Sequence, residues 1–196
     1  MPWAPSYATG AELQAWLGAD ETDPHHAIAV ESASRAINKA CGRQFGLLSS
    51  SEFRYYEPYR HRDRYWCDID DLMTTNSLVI ESENGDEITD YTLTPRNAAA
   101  EGKPWTRIEF ARGTTVTPTL KIGARWGWTN APNTVKMACL IQAARYYSRR
   151  KEENVGGMPT GVTVDDVRLG WASQREELDS DVASMLKPYR KLWGAV

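Results

Sequence analysis

The stretch from Val116 to Arg150 constrains the fold of this chain more than any other part. A strand-like run passes through Gly127-Trp128-Thr129-Asn130-Ala131-Pro132 into a long helical pattern of small and apolar residues. A helix that is apolar on more than one face requires packing partners on both sides. The pattern therefore predicts a protein that assembles with other subunits, and it favours a structural role over catalysis.

Length and composition limit the number of domains and the classes of function that this chain can have. The chain has 196 residues, which suits one folded domain, and 8 Trp and 9 Tyr supply large side chains for a core or an interface. The formal net charge of −3 argues against a protein whose main work is to grip nucleic-acid phosphates, because such binding needs an excess of Lys and Arg.

The cysteines and the N-terminus indicate a protein of a reducing compartment. Cys41, Cys67 and Cys139 are odd in number and widely spaced, so they predict neither a disulfide framework nor a zinc site. The start lacks the pattern of a signal peptide, and the longest apolar run, Met137 to Ile141, is too short to cross a bilayer. We expect a soluble protein made in the cytoplasm, with no membrane partner.

The first predicted helix is defined by its ends. Thr9 followed by Glu12 fits a capping box, and a turn at Gly18 ends the helical pattern. Trp16 lies at helical spacing with the apolar residues of this segment, so we expect it to anchor the helix to the rest of the protein.

A second helix is predicted from Asp23, an N-cap followed by a first-turn proline, to Gly42. One stripe of this helix is apolar and rich in alanine, which permits close packing of helices. Its members are Val30, Ala33, Ile37 and Ala40.

The middle of the chain predicts antiparallel β structure. Asn84-Gly85-Asp86 has the composition of a hairpin turn, and Arg112-Gly113 predicts a second turn between the last two strands. The strand predictions are runs of aromatic and β-branched residues: Phe53 to Tyr56, Tyr65 to Ile69, Leu78 to Ile80, Tyr91 to Leu93, Trp105 to Phe110 and Val116 to Trp126.

The longest helix is predicted from Pro132 to about Glu153, with two apolar sides. Gly156-Gly157 then breaks the chain and is the candidate hinge. A strand at Val162 to Leu169 and a short helix from Leu178 to Leu186, capped around Ser180 or Asp181, complete the prediction.

The fold class that follows is α+β: a small helical bundle from the N- and C-terminal helices with a central antiparallel β region. The segments are residues 1–52, N-terminal helices of the core; 53–128, the β region; 129–155, the long core helix; and 156–196, the hinge and a C-terminal docking segment. We expect them to form one folded domain overall.

The sequence offers few parts for an enzyme. The segment from His61 to Asp71 holds a histidine, Cys67 and several carboxylates, but a solvated acidic turn between strands explains it better than a metal or hydrolytic site. No nucleophile–base pair or phosphate loop is present in the sequence. We therefore predict no catalytic residue, no metal site and no cofactor.

A run of arginines interleaved with aromatic residues supports one alternative function. Cations beside aromatic rings suit the stacking and phosphate contacts of a nucleic-acid-binding or DNA-processing protein. Strand formation and interface packing account for the same residues and are the favoured interpretation. The alternative nucleic-acid contacts are Arg54, Arg60, Arg62 and Arg64.

The order and spacing of several motifs resemble the head-to-tail adaptor (connector, head-completion) proteins of long-tailed bacteriophages, over most of the chain. The strand-rich middle departs from the simpler adaptors of this family, which are almost wholly helical. The matching motifs are Ala40-Cys41-Gly42-Arg43-Gln44-Phe45, Phe53-Arg54-Tyr55-Tyr56, Asp90-Tyr91-Thr92-Leu93-Thr94-Pro95-Arg96-Asn97-Ala98, Pro104-Trp105, Trp126-Gly127-Trp128, Pro132-Asn133-Thr134-Val135-Lys136 and Leu186-Lys187-Pro188-Tyr189-Arg190.

The resemblance implies a structural role in the virion. It implies a ring, expected to be twelve-fold, that seats beneath the portal protein, lines the channel for passing double-stranded DNA without binding it specifically, and presents a docking surface. The next connector or a tail-terminator protein would bind that surface.

The resemblance also implies candidate contact residues. By analogy the segment from Asp179 to Val196 packs against the portal, with Leu186, Tyr189, Arg190, Leu192 and Trp193 as the docking residues. A ring subunit needs two different faces, for which its aromatic residues are suited. The candidate subunit-interface or corner anchors are Trp126, Trp128, Tyr146 and Tyr147.

Overall fold

The structure is a computed structural model that describes residues 4–20, 23–153, 161–164, 167–170 and 178–191. The predicted hinge at Gly156-Gly157 and the docking residues Leu192 and Trp193 lie outside these ranges. The fold is α+β, as predicted, with helices and antiparallel sheets. Contacts divide the chain into two compact units, Phe45–Asn130 and the remainder of the chain. The prediction of one folded domain, with segment boundaries at 52, 128 and 155, stays a prediction.

The helical unit contains the two ends of the described chain. Its longest helices, α2 and α3, pack on each other, and α1 and α4 both contact them. Its elements are α1 (Gly10–Leu17), α2 (Pro24–Cys41), α3 (Asn133–Glu153), β8 (Gly161–Val164), β9 (Val167–Gly170), α4 (Ser180–Leu186) and a 3-10 turn (Lys187–Tyr189).

Helix α1 has the predicted ends but a different anchor. The Thr9 hydroxyl accepts from the backbone N–H of Glu12 at 3.1 Å, and Glu12 accepts from the N–H of Thr9 at 2.8 Å. Gly18 ends the helix at φ 62°. The expectation that Trp16 anchors the helix is wrong: Trp16 is 47% exposed, whereas Leu13 is fully buried. The two residues lie three positions apart, and the helix turns the smaller one towards the core.

The core of the helical unit lies between α2 and α3. Asp23 caps α2 by accepting from the N–H of His25 at 2.8 Å, and Gly42 ends it at φ 64°. The predicted apolar stripe of α2 is buried except at Ala40, which is half-buried. Cys41, one position on, is buried in its place.

The two predicted apolar sides of α3 have different environments. The side carrying Val135, Ala138, Cys139 and Gln142 is buried. On the other side Leu140 is buried, Ile141 and Ala144 are half-buried and Met137 is 40% exposed. Within the single chain, the Val135 side of α3 is therefore fully buried, whereas the Met137 side is only partly buried.

The β unit holds two antiparallel sheets. Three strands pair in the order β1-β7-β4, and four pair in the order β2-β3-β6-β5. The strands are β1 (Glu52–Tyr56), β2 (Tyr59–His61), β3 (Arg64–Leu72), β4 (Val79–Ser82), β5 (Tyr91–Thr94), β6 (Trp105–Phe110) and β7 (Leu120–Ala124).

The predicted turn at 84–86 is present. Gly85 donates to the carbonyl of Ser82 at 3.0 Å, and Ile88 donates back to Ile80 at 2.8 Å. Gly85 has φ 89°, a conformation that glycine adopts without steric cost. This return of the chain covers the outer edge of β4, and it leaves β1 as the open edge of the three-stranded sheet.

Five details of the β and C-terminal predictions are corrected. The turn at Arg112-Gly113 does not join a hairpin, because β6 and β7 belong to different sheets. Strand β2 was missed because it is only three residues long, and β7 is shorter than the predicted run. The single strand predicted from Val162 to Leu169 is the β8–β9 hairpin. Asp179 is the N-cap of α4, one residue before the predicted cap.

Candidate functional site

The C-terminal segment packs on α3 through buried apolar side chains and an ion-pair cluster. Leu178, Val182 and Leu186 are buried. The backbone N–H of Asp179 donates to Oε1 of Gln142 at 3.0 Å, so a buried polar residue of α3 receives the start of α4. The segment is therefore an integral part of the helical unit up to Leu186.

The charges between α3 and α4 reinforce this contact. The two terminal guanidinium nitrogens of Arg145, Nη1 and Nη2, donate to the carboxylate of Asp181 at 2.6 and 2.7 Å. This bidentate hydrogen bonding lowers the pKa of Asp181 to about 2 and raises the pKa of Arg145. Arg149 adds a 3.0 Å hydrogen bond to Asp179. Asp179 and Asp181 of the C-terminal segment thus form ion pairs with arginines near the C-terminal end of α3.

The five candidate portal-docking residues divide into three groups. Leu186 is fully buried in its own unit, so it offers no surface to a partner in this structure. Arg190 is exposed and Tyr189 is half-buried, just before Lys191, whose N–H donates to the carbonyl of Cys41 at 2.7 Å. Leu192 and Trp193 lie beyond the described residues. Tyr189 and Arg190 remain docking candidates.

The two corner tryptophans are buried in the β unit. The indole Nε1 of Trp126 donates to the carbonyl of Glu52 at 2.9 Å, and that of Trp128 donates to Oδ2 of Asp71 at 2.8 Å. The ring of Trp128 lies 5.2 Å from that of Phe45, centroid to centroid. Of the two roles predicted for them, burial favours the corner anchor over the subunit interface.

Tyr146 and Tyr147 lie at an apolar groove on the helical unit, with a volume of about 310 Å³. The hydroxyl of Tyr147 donates to Asp23 at 2.9 Å, and its ring packs 4.5 Å from the imidazole of His26. Ile28 is 58% exposed at the same groove. These two tyrosines therefore line an accessible groove of the single chain, and their interface role stays a prediction.

The arginine run does not form one cationic surface. Arg54 donates to Asp70 at 2.7 Å and lies 5.3 Å above the ring of Trp126. Arg64 pairs with Glu109. Arg60 and Arg62 are exposed, at the β2 strand and the turn after it. Carboxylates therefore neutralise half of the candidate nucleic-acid contacts, which weakens a phosphate-binding surface.

Asp70, on β3, accepts hydrogen bonds from two residues of β1. The hydroxyl of Tyr56 donates at 2.9 Å to Oδ2 of Asp70, the oxygen that also accepts from Arg54. Burial, together with the Asp70 charge, raises the pKa of Tyr56. The Arg54 guanidinium and the Tyr56 phenol both donate to the Asp70 carboxylate, so this polar cluster joins β1 of the three-stranded sheet to β3 of the four-stranded sheet.

One surface was missed by the sequence interpretation: the outer side of β1. Phe53 is 48% exposed and Tyr55 is 70% exposed, two positions apart and thus on one side of the strand. The ammonium of Lys121 lies 4.1 Å from the centre of the Phe53 ring and pairs with Glu81 at 2.8 Å. We call Phe53 and Tyr55 the aromatic face. The sequence signal that could have revealed this face is the alternation of Phe53 and Tyr55 with Arg54 and Tyr56, which places the first two on one side of the strand.

The ring of Phe53 lies directly over Gly123 of β7. A Cβ at Gly123 would come within 2.6 Å of Cε1 of Phe53. The glycine thus provides the space in which the exposed ring rests on its own sheet. The aromatic face therefore lies on the three-stranded sheet beside the Lys121–Glu81 ion pair.

The described residues show neither a metal-binding cluster nor a membrane-spanning helix. Among the described residues, no cluster of three or more His, Cys, Asp and Glu side chains is placed to hold a metal ion. Cys67, from the His61–Asp71 segment, is buried. No helix in the described ranges has the length and hydrophobicity to cross a membrane.

Comparison with known proteins identifies a similar fold. No protein-family model matches the chain, and no curated protein matches it either. Among solved structures, one chain from the neck of an empty gene transfer agent (GTA) particle, in a reconstruction computed with C6 symmetry, is similar. The identity is 18% and the TM-score 0.54, over 98% of this chain and 94% of that chain. The likeness extends over nearly the full length of both chains and concerns the fold.

Proposed function

We propose that this protein is a structural subunit of the head–tail neck of a phage-like particle. The observation that carries the proposal is the fold shared, over almost the whole chain, with a protein of a GTA particle neck. The motif order that resembles phage head-to-tail adaptors supports the same role independently of the coordinates.

In this role the subunit forms a ring beneath the portal protein and lines the channel through which DNA passes. Twelve equal subunits would obey the six-fold symmetry used for the similar neck. The net charge of −3 suits a channel that must let phosphates slide past, because a basic lining would hold them. The opposite end of the ring would receive the next connector or the tail terminator.

Two surfaces of the described chain suit such an assembly. The groove beside Tyr146 and Tyr147 is apolar and open on the helical unit. The aromatic face lies on the β unit. In a ring, each subunit contacts one neighbour through one surface and the other neighbour through a different surface, and the groove and the aromatic face are candidates for these among the described residues.

The test is cryo-electron microscopy of particles from the organism that makes this chain. We expect density for the chain as a closed ring between the portal and the tail, with Tyr189 and Arg190 near the portal. Absence of the chain from mature particles would overturn the proposal.

A double variant separates this role from the nucleic-acid alternative. Arg60→Gln with Arg62→Gln neutralises exposed charges, so particle assembly and DNA ejection should be unchanged. A purified chain that binds DNA in a salt-dependent way, with affinity lost in this variant, would favour the alternative.

A further inference from the structure

Two exposed apolar surfaces of this chain, one on each unit, differ in shape. The aromatic face on β1 carries Phe53 and Tyr55, and Tyr55 is 70% exposed. The groove on the helical unit is concave and lies between side chains of α2 and α3, with a volume of about 310 Å³. Exposed aromatic and aliphatic groups gathered in one place mark a surface that binds a partner.

The groove carries a positive charge that no described residue neutralises. Three arginines lie in the second half of α3. Arg145 pairs with Asp181, and Arg149 pairs with Asp179. Arg150 is exposed, lines the groove and pairs with none of the described residues. The groove therefore suits an apolar side chain that has a carboxylate near it.

The aromatic face carries the opposite charge. Exposed and half-buried side chains alternate along β1, and this alternation continues to Glu57, directly after the strand. The two-residue period places Glu57 on the same side as Phe53 and Tyr55. Lys121 and Glu81, beside the Phe53 ring, pair with each other, whereas Glu57 pairs with none of the described residues. The face thus presents aromatic rings and one uncompensated carboxylate.

We propose that the aromatic face of one copy docks in the groove of a neighbouring copy. The Tyr55 ring enters the groove beside Tyr147 and the exposed Ile28. Glu57 then lies at the rim of the groove and pairs with Arg150. An aromatic side chain that fills a pocket of its partner carries much of the energy of an interface, and rim charges of opposite sign fix its orientation.

The contact joins two different surfaces and is therefore heterologous. Each copy can give its aromatic face to one neighbour and receive the face of another in its groove, so the contact repeats from copy to copy. A buried aromatic side chain removes about 150–250 Å² from water, which stabilises each repeat. That the repeats close into a ring rests on the proposed function.

A cross-link between the two charges tests the contact directly. One chain carries Arg150→Lys, which keeps the positive charge and supplies an amine, together with Glu57→Gln, which removes its own carboxylate. A second chain with a different tag keeps both native residues. A zero-length carbodiimide joins a carboxylate to an amine that touches it, so a 57–150 amide must link two copies. Concentrated protein and purified particles assembled with both chains are treated, and mass spectrometry identifies the joined peptides.

The 57–150 amide should exceed, by at least about tenfold, any amide from position 150 to Asp86, an exposed carboxylate of the same unit. Tyr55→Ser in the second chain should reduce the 57–150 amide about tenfold, because losing a side chain that fills a pocket costs at least the energy of a tenfold change. Trp16→Ser removes another exposed aromatic ring and should leave the amide unchanged.

Two results would overturn the contact. One is an equal effect of Tyr55→Ser and Trp16→Ser on the yield of the amide. The other is an amide from position 150 to a carboxylate of a different protein of the particle in place of the 57–150 amide.

The outcomes separate this inference from the proposed function. A chain present in the neck without the 57–150 amide would overturn the inference and leave the function standing. The amide in concentrated protein, with the chain absent from particles, would support the contact and overturn the neck role. No amide in either sample and no chain in particles would overturn both.

Discussion

The indole Nε1 of Trp128 donates a 2.8 Å hydrogen bond to Oδ2 of Asp71, and both residues are buried. Two backbone bonds frame this contact: Gly127 donates to the carbonyl of Asp71 at 2.6 Å, and Trp128 donates to Gly46 at 2.8 Å. The chain after β7 is thereby joined to the end of β3 and to the segment that precedes β1.

Replacing Trp128 by Phe tests this bond. The ring volume is largely kept, but a buried carboxylate oxygen loses its donor, so the free energy of unfolding should fall by about 1–3 kcal/mol. Trp128→Ala should cost more, about 3–5 kcal/mol, because it also leaves a cavity. Urea unfolding followed by circular dichroism measures both. Trp16→Phe, at an exposed site, is the control and should change stability by less than about 0.5 kcal/mol. Equal stabilities of wild type and Trp128→Phe would contradict the prediction.

Asp181 should make the helical unit sensitive to acid. Its folded pKa, about 2, lies below the ordinary value of 3.8 because Arg145 hydrogen-bonds the carboxylate. A depressed carboxylate pKa adds stability that is present above pH 3.8 and lost as the pH falls through 2. Asp181→Asn should therefore melt below wild type at neutral pH, with a difference that shrinks towards pH 2. Asp86→Asn, an exposed carboxylate in the 84–86 turn, is the control. A difference that does not change with pH would contradict the linkage.

His26 is a buried polar residue whose replacement by an apolar side chain of similar size should not destabilise the protein. Its side chain is only 1% exposed, and neither ring nitrogen has a hydrogen-bond partner. Replacing an unsatisfied buried polar group by an apolar one of similar size is neutral or stabilising. His26→Leu should raise the free energy of unfolding by about 1 kcal/mol, whereas His26→Ala should lower it by about 2 kcal/mol through the cavity. Thermal unfolding of the two variants provides the comparison, and a strongly destabilised His26→Leu would show that the imidazole has a partner in solution.

The three cysteines should resist thiol reagents in the native protein. Burial raises the pKa of Cys41 to about 11, that of Cys67 to about 12, and that of Cys139 above its ordinary value. A neutral, inaccessible thiol is a poor nucleophile at pH 8. Mass spectrometry after iodoacetamide should find no rapid labelling of native protein and three labels per chain after denaturation. Rapid labelling of native Cys67 would show that β3 opens to solvent.

Local sequence signals predicted the helices well. The caps of α1 and α2 depend on residues that lie within a few positions of the helix ends, such as Thr9 with Glu12 and Asp23 before Pro24. The turn at Gly85 is local for the same reason. These features need no knowledge of distant segments.

Signals that depend on distant partners failed or were absent. Nothing near Arg112-Gly113 indicates that β7 leaves β6 and pairs with β1 and β4 instead. Trp16 and Leu13 share an apolar pattern, and only packing shows that Leu13 is the buried one. Among the candidate site residues, the burial of Leu186 and the neutralisation of Arg54 by Asp70 also depend on partners far along the chain.

The amino-acid sequence by itself determined the α+β class, the ends of α1 and α2 and the presence of apolar surfaces beyond those that one small core can cover. Helix caps, turn glycines and hydrophobic periodicity act over a few residues, so they can be read without a structure. Tertiary structure alone decided that Phe53 and Tyr55 face outward while Trp126 and Trp128 face inward. All four are large aromatic residues, and their burial depends on which strands pair with each other. Strand pairing is determined by contacts between segments 50 or more residues apart, such as the contact of Trp128 with Asp71.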